Sequence, residues 1–247
     1  MSEPTRRSLL TSTAFVALGA ALPGLPVLAV IAPAVADTPT PIPEAYGFFT
    51  PAEAAFIDAA TARIIPTDAE GPGAHEAGVV AFIDRQLNGD YGRAVKWYMQ
   101  GPYGKSADGQ GYQSSFTPAE AYRAAIKATD DYCRNTYQGN GFADLTPDQQ
   151  DATLKAMEAD GIDIPGIGSK DFFNSLLRQN TLEGFFSDPL YGGNRDMVGW
   201  RMIGFPGARG DFVDYMDTSD QPYPLPPVGV EGHREMPMRD PNSAETK

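Results

Sequence analysis

The stretch Thr117-Pro118-Ala119-Glu120-Ala121-Tyr122-Arg123-Ala124-Ala125-Ile126 declares a helix in its first four residues. The Thr hydroxyl caps an orphan N–H, proline takes the first helical position where its missing donor costs nothing, and Glu three residues on closes a capping box. The same grammar returns at Thr50-Pro51-Ala52-Glu53 and at Thr146-Pro147-Asp148-Gln149. Behind the earliest of these starts, Phe56, Ala60 and Ile64 recur at helical spacing, flanked by Ile57 and Ile65, until Pro66 stops the run. The helix from Thr117 extends to about Tyr137 with Tyr122, Ala125, Ile126, Thr129, Tyr132 and Cys133 on one side. The helix from Thr146 to about Asp160 turns Leu154 and Met157 inward.

Two further helices follow from periodicity alone. One covers about Ala74 to Leu87 with Val79, Val80, Phe82, Ile83 and Leu87, closed by Asn88-Gly89. The other starts at Ser169 and carries Phe172, Phe173, Leu176, Leu177, Leu182, Phe185 and Phe186, a wide apolar face suited to the centre of a bundle. No segment alternates with period two for long enough to be a strand. The expected fold class is therefore all-α, an irregular helical bundle with long Gly/Pro-rich loops and extended termini.

Composition narrows the chemistry. With 247 residues and 42% hydrophobic content, the chain can bury a real core. Its net charge of −13 argues against nucleic acid or anionic lipid as a partner. Cys133 is the one cysteine and His75 and His233 the only histidines, which excludes an intramolecular disulfide, a Cys/His zinc cage, a C-x-x-C-H haem attachment and a Cys-ligated iron–sulfur cluster. No G-x-G-x-x-G or Walker-type loop is present. Cys133 has no neighbouring base or cation cluster in the sequence and reads as a small buried hydrophobe, while His75 reads as a surface or capping residue.

At the N-terminus, Arg6-Arg7 precede an apolar run from Ala14 to Val35 that ends in Ala34-Val35-Ala36 before Asp37. Charged region, apolar region and A-x-A site together describe a secretory signal of the twin-arginine (Tat) type over residues 1–36, cleaved between Ala36 and Asp37. The run is long enough to span a bilayer, but Pro23, Pro26 and Pro33 interrupt it. The Tat route carries folded proteins, commonly because a cofactor was inserted first. A chain with that signal and no visible cofactor motif points to a second, cofactor-loaded chain travelling with it.

The mature chain begins with a proline-rich leader, Asp37 to Tyr46, then a helical domain to residue 219, then an extended tail of residues 220–247 with Gln221-Pro222-Tyr223-Pro224-Leu225-Pro226-Pro227. Polyproline geometry leaves backbone groups free, which suits docking in a groove on another chain. The aromatic, glycine-rich loop from Lys96 to Tyr112 is expected to contact a partner or to fold over its own core. One other run stands apart: Ser187 to Arg209 holds five glycines, two prolines, three large aromatics and three arginines, a shaped surface rather than a helix or linker.

That run carries a family resemblance. Glu183-Gly184-Phe185-Phe186-Ser187-Asp188-Pro189, continuing into Tyr191-Gly192-Gly193-Asn194-Arg195-Asp196 and Gly199-Trp200-Arg201-Met202-Ile203-Gly204-Phe205-Pro206-Gly207, looks like the hallmark of the gluconate 2-dehydrogenase subunit 3 family. Phe49-Thr50-Pro51, Ile65-Pro66-Thr67-Asp68, Gly71-Pro72-Gly73-Ala74 and Phe82-Ile83-Asp84-Arg85-Gln86-Leu87 continue the likeness upstream. The resemblance implies a non-catalytic small subunit of a periplasmic, membrane-associated dehydrogenase for sugars, sugar acids or related alcohols. FAD is expected in a large catalytic subunit of the glucose–methanol–choline type, and haem c in a multihaem cytochrome c subunit that anchors the complex to the inner membrane. The small subunit is expected to escort the large one through the Tat route and to stabilise it, with no cofactor, metal or catalytic residue of its own.

Within the hallmark run, Tyr191, Trp200 and Phe205 are candidate anchors for the large subunit, with Asn194, Arg195, Arg201 and Arg209 as its polar contacts. The opposing reading is that Trp200 and Phe205 pack inward and the glycines shape only this chain's own turn. Trp200→Ala or Arg201→Ala should then unfold the chain more than it weakens association. Two other classes of function compete: a free-standing periplasmic hydrolase using His75 with Glu76, and a solute-binding protein.

Overall fold

The computed structural model describes residues 46–104, 113–210, 212–215, 217 and 221–232. Arg6, Arg7, Ala36, Asp37 and His233 lie outside them. The three capping boxes form as the sequence dictates. Glu53, Glu120 and Gln149 accept the backbone N–H of Thr50, Thr117 and Thr146 at 2.8, 2.8 and 3.1 Å. Each threonine hydroxyl accepts in return from the backbone N–H three residues on. They open α1 (Pro51–Ile64), α3 (Pro118–Thr136) and α4 (Pro147–Glu158).

Between α1 and α3 lies α2 (Val79–Asn88), which starts five residues later than periodicity suggested. Residues 74–78 are turns, because Gly78 sits in the left-handed region at φ +69° and breaks the helical ladder. The expected helix from Ser169 is present as one continuous run: α5 (Ser169–Phe172), a π-helical segment (Phe173–Arg178) and α6 (Gln179–Phe186). A short α7 (Val198–Ile203) follows. No strand occurs among the described residues, only isolated bridges, and the all-α class holds.

α1 packs against both α2 and α4, and α6 lies along α2. The core between them is aromatic at its centre. Phe56 meets Phe142 at 4.7 Å between ring centroids, and Tyr122 meets Phe172 edge-on at 5.1 Å. One polar network is buried with them. Asn180 donates to the hydroxyls of Tyr91 and Tyr122 at 3.0 and 2.9 Å, and Tyr122 donates at 3.4 Å to the Leu176 carbonyl inside the π-helical segment. Burial drives the Tyr122 hydroxyl well above the ordinary tyrosine pKa, the nearby Tyr91 adding to it, so it serves as a neutral donor throughout the working pH range.

The N-terminal entry to this core depends on one carboxylate. Asp84 of α2 is buried and accepts the backbone N–H groups of Gly47, Phe48 and Phe49 at 2.8, 2.9 and 2.9 Å. The bond to Phe49 is buried and the other two are part-buried, and bonds from N–H groups to a carboxylate are among the stronger ones. Asp84→Ala should lower unfolding stability by about 3 kcal/mol in a urea titration, through the buried Phe49 donor left unmet and the two part-buried bonds lost with it. An unchanged midpoint would mean that burial of Phe49 alone holds the segment.

The proline-rich tail departs from the expectation that it docks elsewhere. Its described part turns back on the chain: Ala208 donates to the Val228 carbonyl at 2.7 Å, Val228 to the Pro206 carbonyl at 3.2 Å, and Val230 to Asp188 at 2.7 Å. In the aromatic loop, Trp97 packs edge-on against Tyr91 while Tyr98 faces solvent.

Candidate functional site

The run after α6 is fastened to the body of the protein from inside. Asn194 is fully buried, donates at 2.8 Å to the Ser187 carbonyl and accepts from the Gly199 N–H at 2.9 Å, stapling both ends of the turn. Arg195 donates its backbone N–H to the Ala77 carbonyl at 2.9 Å, which ties the turn to the residues before α2. Trp200 is 5% exposed and its indole donates to the Phe186 carbonyl at 2.8 Å. Asp188 caps the turn at Leu190 with one oxygen and holds the tail with the other.

These bonds hold an unusual backbone. Asn194, Asp196 and Met197 all take left-handed φ values, 47°, 55° and 56°. Such conformations cost a non-glycine residue about 1 kcal/mol or more each and persist only where the surroundings over-determine them. The result is a rigid, preset loop projecting from α6.

The sequence-selected residues divide into three groups. Asn194 and Trp200 lie inside the chain and build the turn, so neither stands where a partner would touch it. Tyr191, Arg201 and Phe205 face solvent, with Phe205 lying edge-on to Trp200 at 5.1 Å. Arg195 is partly buried. Arg209 is also partly buried and is bound up with the tail, donating to the Pro226 carbonyl and lying over the Tyr223 ring at 5.1 Å.

Sequence reasoning missed much of the outer surface. Leu182 and Phe186 of α6, assigned to the core, are exposed, as are Leu190, Met202 and Ile203. Nine of the fourteen exposed large hydrophobic side chains among the described residues fall between 182 and 213, far too many for scattered surface residues. The width of the apolar face on the last helix was the signal: it exceeds what one side of a bundle can cover.

Beside this surface lies a cleft of about 460 Å³, lined by Tyr46, Asp84, Arg85 and Asn88 on one side and by Pro189, Gly192, Gly193, Arg195 and Asp196 on the other. Burial, helped by Asp58 and Asp84, raises the Tyr46 hydroxyl pKa, and Arg195 opposes that rise.

His75 and Glu76 do not pair with each other. The His75 Nδ1 meets Asp58 at 2.7 Å. Glu76 turns instead to the Thr67 hydroxyl at 2.6 Å and the Gly73 N–H at 3.0 Å. Burial works against the Glu76 charge, yet these hydrogen bonds outweigh it and hold its pKa below the usual value. Cys133 is buried and its thiol pushed up to about 11, chiefly by desolvation, which suits a packing role. Among the described residues, no group of three or more His, Cys, Asp or Glu is placed to hold a metal ion, and no helix is long and apolar enough to cross a membrane.

Comparison with known proteins agrees with the hallmark run. The family model described as Gluconate 2-dehydrogenase subunit 3 matches residues 51–207, well over half of the chain and all of the helices just described. No curated protein and no solved structure matches it. The chain belongs to the gluconate 2-dehydrogenase subunit 3 family and is thereby a subunit of a dehydrogenase complex.

Proposed function

We propose that this chain is the non-catalytic small subunit of a periplasmic, flavin-dependent dehydrogenase of sugars, sugar acids or related alcohols. It docks on the large flavoprotein subunit through α6, α7 and the turn between them. The observation that carries this reading is the concentration of exposed Leu182, Phe186, Leu190, Tyr191, Met202, Ile203 and Phe205 on a backbone held rigid from inside. Rigid, aromatic-rich apolar patches are what stable partners bury, because little conformational entropy is lost on docking.

In this reading FAD belongs to the large subunit and haem c to a multihaem cytochrome subunit that holds the complex at the inner membrane. Arg6-Arg7 direct the small subunit, with the folded large subunit attached, into the Tat route, and cleavage follows Ala36. The test separates surface from core. Ile203 is 60% exposed and Phe205 44% exposed, so Ile203→Asp and Phe205→Asp should leave the melting temperature near wild type yet abolish capture of the flavoprotein by a tagged small subunit. Trp200→Ala, by contrast, should cost about 3 kcal/mol of stability, since it empties a buried site. Undiminished capture by both Asp variants would remove this face from the interface.

A further inference from the structure

Two arginines line the cleft beside the docking face, and neither is ion-paired there. Arg85 of α2 and Arg195 of the preset turn make no ion pair with a carboxylate among the described residues, although the chain is strongly acidic. Two carboxylates share the lining, Asp84 and Asp196, but neither forms an ion pair with either arginine, and both Asp84 oxygens already accept backbone N–H groups. Arg85 makes one long bond, 3.4 Å, to the Leu190 carbonyl.

Both guanidinium groups are seated rather than loose. A methyl group on Gly192 would come within 3.0 Å of Arg85 Nη1, and one on Gly78 within 3.0 Å of Arg195 Nη2, so each guanidinium packs against a glycine. The turn that carries Arg195 is itself clamped by Asn194 and by the bond to Ala77. Fixed guanidinium planes lose little entropy when they bind and match a carboxylate with paired hydrogen bonds. Asn88 and Tyr46 on the cleft wall supply further polar groups.

We propose that this cleft is a receptor for a carboxylate side chain of the partner subunit, gripped between Arg85 and Arg195. The proposal rests on the docking reading above, and it adds the polar contact that fixes the register of the apolar face. The cleft is continuous with that face, since Pro189 to Asp196 form one of its walls while Leu190 and Tyr191 of the same turn stand exposed at its edge. A partner seated on those two side chains covers the cleft and withdraws both arginines from water. Arginines with no ion-pair partner of their own keep paired N–H donors free for an acidic group of the partner.

The experiment measures the affinity of the tagged small subunit for its co-expressed flavoprotein. Arg85→Glu and Arg195→Glu should each weaken the complex by about tenfold or more, with Arg85→Gln giving a smaller loss and Lys155→Glu, on the outer face of α4, none. Wild-type affinity should fall as salt rises, with a shallower slope in Arg85→Gln. Arg85 is exposed, so Arg85→Gln keeps the test valid if the reversal at Arg195 disturbs the turn. Loss of capture in Ile203→Asp with unchanged affinity in all three arginine variants would overturn the carboxylate receptor and leave the docking face standing. Unchanged affinity in Ile203→Asp as well, or no capture by wild type, would overturn both.

Discussion

Gly193→Ala should fail to reach the native fold, or should reach it about 4 kcal/mol less stable than wild type. A methyl group at this position would stand 2.9 Å from the carbonyl carbon of Gly184 and overlap its oxygen. The obstacle is helix backbone, with no side chain to swing aside, and a close-packed interior relaxes poorly around such a clash. Two other glycines calibrate the effect. Gly204 has open space around it but a left-handed φ of +67°, so Gly204→Ala should cost about 1 kcal/mol. Gly210 has open space and no such φ, and Gly210→Ala should change stability by less than about 0.5 kcal/mol. Thermal or urea unfolding of the three variants reads the order directly. Equal stability of Gly193→Ala and Gly210→Ala would mean that the turn does not lie against α6.

The second large effect concerns the proposed export route. Replacing Arg6-Arg7 by Lys-Lys should leave both this chain and its flavoprotein in the cytoplasm, with dehydrogenase activity lost from the periplasmic face and retained in the soluble cytoplasmic fraction. The substitution keeps the charge and removes only the paired guanidinium groups, so a failure of export cannot be put down to charge. Fractionation followed by immunodetection of both subunits is the measurement. A flavoprotein that still reaches the periplasm would end the escort role, while the docking face would stand or fall on its own variants.

How much of this was legible in the sequence depended on the range of the interactions involved. The starts of α1, α3 and α4 were readable because a capping box is local: donor and acceptor lie three residues apart. The start of α2 was not, because it is set by the left-handed Gly78, whose neighbour Arg195 lies far along the chain. The continuous helical run from Ser169 to Phe186 was visible in its apolar spacing, whereas the π-helical segment within it was not. That segment presents the Leu176 carbonyl to Tyr122, a partner from another helix.

The candidate site divides along the same line. Glycines, arginines and aromatics mark residues 187–209 as a shaped surface, and the same run carries the family resemblance. Which of its side chains face out was hidden. Trp200 and Asn194 look like contact residues by type, yet each meets a backbone group that only the folded turn brings near: the Phe186 carbonyl for Trp200, the Ser187 carbonyl for Asn194. Arg85 figures in the sequence only as part of a family run, because Arg195, which shares its cleft, is 110 positions away. The proline content of the tail suits docking on another chain, but in its described part Val228 and Val230 find donors and acceptors on Pro206, Ala208 and Asp188.

The central claim is that this chain works as a docked, non-catalytic subunit, and purification from its own cells through a C-terminal tag tests it most directly. A flavin-containing subunit should co-elute in near-stoichiometric amount and carry all of the dehydrogenase activity, and Ile203→Asp should elute folded but alone. A wild-type chain that elutes by itself, or that turns over a sugar substrate without any partner, would contradict it.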